Sequence, residues 1–224
     1  MAVTTGEVVG VIPSAELDAA GNVVTLNVGT DVQIGQTVVT GASGQVELIF
    51  TDGTKLVVGP SSKLLLEDYL LRTDGTPGKL AVNMLAGTFR FFTGTMPKSS
   101  YELTTPSGTI GVRGTIIEIF VNYAGNALIA LLEGKIDLCA SNAPSCTPVE
   151  IDTSNVCAAS FLALNSTGFD DLDEETFAKA FPYLVSQDPL QEPFHVDTAH
   201  DCFEQLLKAG TNAIPEPIPA SRSL

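Results

Sequence analysis

An all-β body followed by two short helices is the fold class this sequence predicts, and three observations carry it. From Gly6 to about Leu164, short runs rich in Val, Ile, Thr and Phe alternate with turn signals, and no stretch keeps a helical period for long. Beyond Phe169 the composition changes: Asp170 to Glu175 clusters acids where a helix N-terminus favours them. The last residues, Ile214 to Leu224, are proline-rich and small, which suits a linker or an arm rather than core.

Taken in order, Gln45–Phe50 alternates as a half-buried strand, Asp52-Gly53 turns the chain, and Lys55–Val58 returns it. Asp-Gly between apolar runs marks a tight hairpin because both turn positions need positive φ. Asp74-Gly75 and Gly125-Asn126 repeat the signal. Leu80 to Phe92 reads as two strands around Ala86-Gly87, and Ile116–Val121, Leu128–Leu132 and Lys135–Cys139 supply three more. Alternation places Val46, Leu48 and Phe50, Phe89 and Phe91, and Ile117, Ile119 and Val121 inward. Asp171 and Glu174 have capping-box spacing for a first helix that stops by Phe181, before Pro182. A second runs from about Thr198 to Ala209, capped by Asp197 and ended by Gly210. The expected organisation is a β-domain over 1–165, a helical extension packed on it over 166–213, and a tail over 214–224. With no exact internal repeat, the strand–turn rhythm suits a sandwich, a barrel or an irregular β-solenoid.

Composition narrows function. The net charge of −15 and pI near 4.3 exclude nucleic acid and disfavour anionic membrane surfaces, since both need clustered Lys and Arg. Charged residues are only 17% of the chain, against about 25% in an average soluble protein. Either the core is unusually complete, or a partner or further copies cover apolar surface. The longest apolar run, Ala127 to Leu132, is far short of the roughly 20 residues that span a bilayer as a helix. Met1 to Thr5 lacks the basic start and apolar core of an export signal, so an exported protein would have lost one; a cytoplasmic protein is the alternative.

The cysteines favour export. Cys139, Cys146, Cys157 and Cys202 contain no C-x-x-C, which excludes the usual zinc and thioredoxin spacings, and disulfides in an oxidising compartment fit better. Of three possible connectivities, Cys139–Cys146 closes a tight loop holding Asn142 and Pro144, and Cys157–Cys202 clamps the second helix onto the last strand.

No enzyme emerges. His195 and His200 are the only histidines; with Asp197, Asp201 and Cys202 they gather ligand-type residues without a known metal spacing. No Gly-x-Ser-x-Gly elbow is present, and Asp170 to Glu175 lacks the EF-hand pattern. Acid clusters read as a solvated face rather than a catalytic carboxylate pair. The expectation is no catalytic residue, no cofactor and no metal.

The segment Thr105-Pro106-Ser107-Gly108-Thr109-Ile110-Gly111-Val112-Arg113-Gly114-Thr115 resembles the signature of the FecR domain, a Thr-Pro followed by Val-Arg-Gly-Thr leading into an apolar strand. Gly35 to Gly41, Phe50 to Leu56 and Leu132 to Ile136 resemble three further elements of that family in the same order. Together they span about Gly6 to Leu164. The resemblance implies an irregular, partly solenoid-like β-domain facing the periplasm or cell exterior, which in the best-known members relays a signal from an outer-membrane receptor to an anti-sigma region. Neither that region nor a transmembrane helix is read in this chain, so only the exported β-domain carries over. Thr105, Pro106, Gly111, Val112, Arg113, Gly114 and Thr115 are expected to act structurally, with Arg113 in a buried pair with a carboxylate.

Two functions remain in competition. One is a periplasmic or surface module that binds another exported or outer-membrane protein. The other is a subunit of a self-assembling surface filament or layer, with mobile arms at the Ile12-Pro13 break and the proline-rich tail.

Overall fold

A computed structural model describes residues 5–13, 15–71, 77–141, 143–163, 174–209 and 218–219. Its strands form one hydrogen-bonded network folded into two layers. The first layer, sheet A, orders β4 (Asp31–Val32), β1 (Gly6–Ile12), β6 (Gln45–Phe50), β7 (Lys55–Val58), the end of β9 (Pro77–Phe92), β12 (Ile116–Val121), β13 (Ala127–Glu133), β16 (Ala158–Ala163) and β17 (Ile218–Pro219). The second, sheet B, orders β3 (Asn22–Thr25), β2 (Ala15–Ala19), β5 (Thr37–Thr40), β8 (Lys63–Leu71), the start of β9, β10 (Tyr101–Thr105), β11 (Gly108–Val112), β14 (Lys135–Ala140) and β15 (Thr147–Glu150). Pairing is antiparallel except at β9–β10 and β16–β17.

The chain winds between the layers largely hairpin by hairpin, so sandwich and solenoid are two views of one path. Core residues from both sheets meet in one apolar cluster: Val46, Leu48, Phe89, Phe91, Ile117 and Ile119 from A, with Leu64, Val82, Leu103, Ile110 and Leu138 from B. Every residue that alternation placed inward is buried. Each large side chain removed from water contributes about 1.5–3 kcal/mol, which sets the register against a one-residue slip.

Leu80 to Phe92, expected as two strands, belongs to one. Residues up to Ala86 pair with β8 in sheet B, and Gly87 to Phe92 pair with β12 in sheet A. Gly87 makes the transfer: its φ is 97°, and a Cβ there would overlap Ser62.

A third layer covers the outer face of sheet A. It comprises α1 (Glu174–Ala180), α2 (Pro182–Val185), a 3₁₀ turn at Glu192–Phe194 and α3 (Ala199–Ala209). Phe177, Phe181, Phe194 and Phe203 pack with Val57, Leu128, Ala130, Leu132 and Phe161 of the sheet. Pro182, read as a stop, also starts a further helical turn, because a proline at the first position forfeits no intrahelical bond. β1 is paired along its length with β6 up to Ile12, so the residues before Pro13 are not an arm. Ile218 and Pro219, within the expected tail, lie parallel beside Leu162 and Ala163. Asp74-Gly75, the Asp171 cap and Gly210 fall outside the described residues.

Candidate functional site

The signature residues lie where the chain changes direction or layer. Pro106 and Ser107 form the two-residue connection of the β10–β11 hairpin, closed by Thr105, whose Oγ1 donates to the Gly108 carbonyl at 3.0 Å. Ser141 fixes this turn to the end of β14, its N–H reaching the Ser107 carbonyl at 2.9 Å. Val112 is buried in the core opposite Ile136. Arg113, Gly114 and Thr115 then carry the chain from sheet B to sheet A. The buried Thr115 holds that corner, with its N–H 2.7 Å from Thr93 Oγ1 and its carbonyl accepting from the Thr93 N–H at 3.0 Å. Gly134, which returns the chain to sheet B, has φ 80°, and a Cβ there would overlap the Gly114 carbonyl. The Gly134 corner sits too close to the Gly114 carbonyl for any side chain, whereas Gly114 is favoured by its φ of 73°.

The Asp-Gly-Thr hairpin braces the same region. Asp52 Oδ2 accepts from Thr54 Oγ1 at 2.6 Å and from the Tyr101 hydroxyl at 2.7 Å, while the Met96 N–H reaches that hydroxyl at 3.1 Å. Burial, with the Asp52 carboxylate beside it, pushes the Tyr101 phenol up to about 12. Tyr101 is thus a neutral structural donor at any physiological pH.

Beside this scaffold, on the outer face of sheet B, a groove of about 510 Å³ is lined by Lys98, Ser99, Tyr101, Gly111, Val112, Arg113 and Asp137. Arg113 presents Nε and Nη2 to Asp137 Oδ2 at 2.7 and 2.5 Å. The expected carboxylate partner is present, but the expected burial is not: the Arg113 side chain is 58% exposed and Asp137 27%. Sheet B has no third layer over it among the described residues, so its outward side chains stay wet. The cations Lys98 and Arg113 stand together on a protein of net charge −15.

The fully buried pair is elsewhere and was not anticipated. Arg90 and Glu118 are directly opposed on β9 and β12, both 0% exposed, with Nη2 3.2 Å from Oε2. Arg90 also donates to the Tyr183 carbonyl at 2.7 Å, the Phe194 carbonyl at 3.3 Å and Gln187 Oε1 at 2.5 Å. Glu118 Oε1 accepts the Tyr183 N–H at 3.2 Å. Burial raises the Glu118 carboxyl above its ordinary range, with the Arg90 guanidinium opposing the shift. Glu47, on the same face, accepts the Gln191 N–H at 2.9 Å and is likewise raised by burial. These groups anchor the third layer.

Cys139–Cys146 brackets the loop between β14 and β15, with Cα atoms 4.2 Å apart, and Cys157–Cys202 joins the start of β16 to α3. His195 Nε2 lies 2.9 Å from the Leu190 carbonyl, Cys202 is in a disulfide, and among the described residues no cluster of ligand-type side chains could hold a metal. No described helix is long and apolar enough to cross a membrane.

A family model described as FecR protein matches residues 36–137, a span that holds the Asp-Gly-Thr hairpin, the signature and both stacked corners. No curated protein matches the chain. Among solved structures, an anti-sigma-factor candidate from Parabacteroides distasonis ATCC 8503 is similar at 14% identity and a TM-score of 0.39, over 50% of this chain and 50% of that one.

Proposed function

We propose, from the FecR family match over residues 36–137, that the chain is a non-enzymatic, extracytoplasmic module that binds another exported or outer-membrane protein, as part of a signal relay. The observation that carries this reading is the asymmetry of the two sheets. Sheet A is covered by the chain's own helical layer, whereas among the described residues nothing covers the outer face of sheet B beside the signature groove. Signature residues that serve as corners hold Arg113 and Lys98 at that groove, so one segment builds the scaffold and presents the surface. The two disulfides support a compartment that permits them. The reading needs no cofactor.

Photocrosslinking in cells tests it. A crosslinking residue placed singly at Ser99 in the 3₁₀ turn lining the groove, or at Thr109 or Glu102 on sheet B, is expected to give one discrete adduct with an exported protein. The same residue at Glu175 or Glu204 on the helical layer is expected to give none. Adducts equally abundant from both faces, or absent from all positions, would refute the reading.

A further inference from the structure

The two ends of sheet B are built differently. At one end β15 carries Pro148, which removes a ladder donor, and the Lys135–Glu150 ion pair at 2.5 Å. Proline and charge are the usual means of blunting an edge. At the other end β3 reads Asn22-Val23-Val24-Thr25, with no proline and no charge, and every residue is exposed. Among the described residues β3 pairs only with β2.

The register shows which backbone groups point away from β2. Ala20 and Gly21 form a two-residue turn with φ 52° and 90°, and Leu26 donates to the Ala15 carbonyl at 2.9 Å. Asn22, Val24 and Leu26 therefore direct their backbone groups to β2, and Val23 and Thr25 direct theirs outward, where the Thr25 carbonyl accepts a 3.3 Å bond from Asn27 Nδ2 that an added strand would replace. Val23 is 53% and Val28 65% exposed, and a cavity of about 380 Å³ lined by Val11, Pro13, Ala15, Glu16, Thr25 and Leu26 adjoins the strand.

Charge identifies the occupant. No Lys, Arg or His precedes Lys55, while Glu16 and Asp18 lie on β2 beside β3. Glu16 and Asp18 stand opposite Thr25 and Val23, so the four side chains share one face beside the edge, while Val24 stands opposite the buried Leu17 on the other face.

We propose that the β3 edge takes an extended segment of a partner protein as an added strand, with basic side chains alternating with apolar ones. The basic residues would face Glu16 and Asp18, and the apolar ones would extend the row of Val24 and Leu17. Main-chain bonds to Val23 and Thr25 supply affinity and the alternation supplies selection. A second copy is disfavoured, because each would bring the same anionic end. This inference rests on the protein-binding reading above and gives it a partner chemistry.

Fluorescence anisotropy with end-labelled, end-capped ten-residue peptides tests it. A peptide alternating lysine and valine is expected to bind saturably, and at least about tenfold more tightly than one alternating glutamate and valine or one with the same lysines and valines in two blocks. Val23→Pro removes an outward donor without breaking a β2–β3 bond, and Val23→Lys adds repulsion. Both variants should unfold at the wild-type temperature and lose binding by at least about tenfold. Equal binding of the alternating and blocked peptides, or unchanged binding by both variants, would overturn the proposal. A wild-type dimer in light scattering that Val23→Pro dissociates would assign the edge to a second copy instead. Crosslinks at the signature groove without peptide binding would remove the edge alone; peptide binding without any crosslinks would remove the groove.

Discussion

Two arginine–carboxylate pairs sit on opposite faces of this molecule. Arg90–Glu118 lies on the outer face of sheet A at 0% exposure, and Arg113–Asp137 on the outer face of sheet B with its arginine 58% exposed. Each links neighbouring strands, and each arginine places nitrogens within about 3 Å of an oxygen. What separates them is cover. The helical layer strips water from the first pair and supplies it with the carbonyls of Tyr183 and Phe194. Nothing among the described residues does so for the second. A buried charge depends wholly on its partners, whereas an exposed pair competes with water and salt.

Arg90→Ala should therefore have the largest effect, about 3–5 kcal/mol, because it leaves Glu118 buried and unpaired. Replacing both members by apolar residues, as in Arg90→Met with Glu118→Leu, should recover most of that loss. Chemical denaturation of the two variants checks both statements, and a double variant as unstable as the single one would show that the pair is not what holds the layer.

Next comes the tether between layer and sheet. Removing Cys157–Cys202 by paired serine substitutions should cost about 4 kcal/mol, against about 2–3 kcal/mol for Cys139–Cys146, since the longer closed loop restricts the unfolded chain more. Thermal melts of the two double-serine variants give the order directly, and the reverse order would point to strain or residual structure.

Glu47 sharpens the comparison through pH. Burial raises its carboxyl, so between the unfolded value near 4.5 and the higher folded value the native state holds more protons than the unfolded state. Its contribution to stability is fully present below the unfolded value and is lost as pH rises through the folded one. Glu47→Gln should flatten this part of the stability–pH curve and change stability by no more than about 1 kcal/mol at pH 7. A variant curve parallel to wild type across that window would show that Glu47 does not titrate there.

The smallest effect is expected at Arg113. Arg113→Ala should cost about 0–1 kcal/mol, less still in high salt. A loss as large as that of Arg90→Ala would mean that the groove is covered after all.

The inner core was legible in the sequence because alternation has a period of two and one face must be buried. Val46, Leu48, Phe89, Phe91, Ile117 and Ile119 follow from that rule alone. The same rule puts Arg90 and Glu118 at outward positions, where they are, but it carries no information that a further layer buries that face. The counter-signal was the unbroken run Ala127 to Leu132, too short to span a membrane and apolar on both faces, as a strand covered on both sides must be. The signature was legible as a motif but not as geometry. That Gly114 and Gly134 stack at one corner depends on a contact 20 positions apart along the chain that no local spacing encodes. Arg113 was matched to a carboxylate because acids outnumber bases, 26 to 11, but its exposure depends on which sheet the helical layer covers.

Peptide mapping without reduction, on protein alkylated in intact cells of its native source, bears most directly on an exported module held together by its own C-terminal layer. Cys139–Cys146 and Cys157–Cys202 are expected as the two cross-linked peptide pairs, with no alkylated cysteine. Four alkylated thiols would contradict export, and a Cys146–Cys157 bond would free α3 from the sheet it is required to cover.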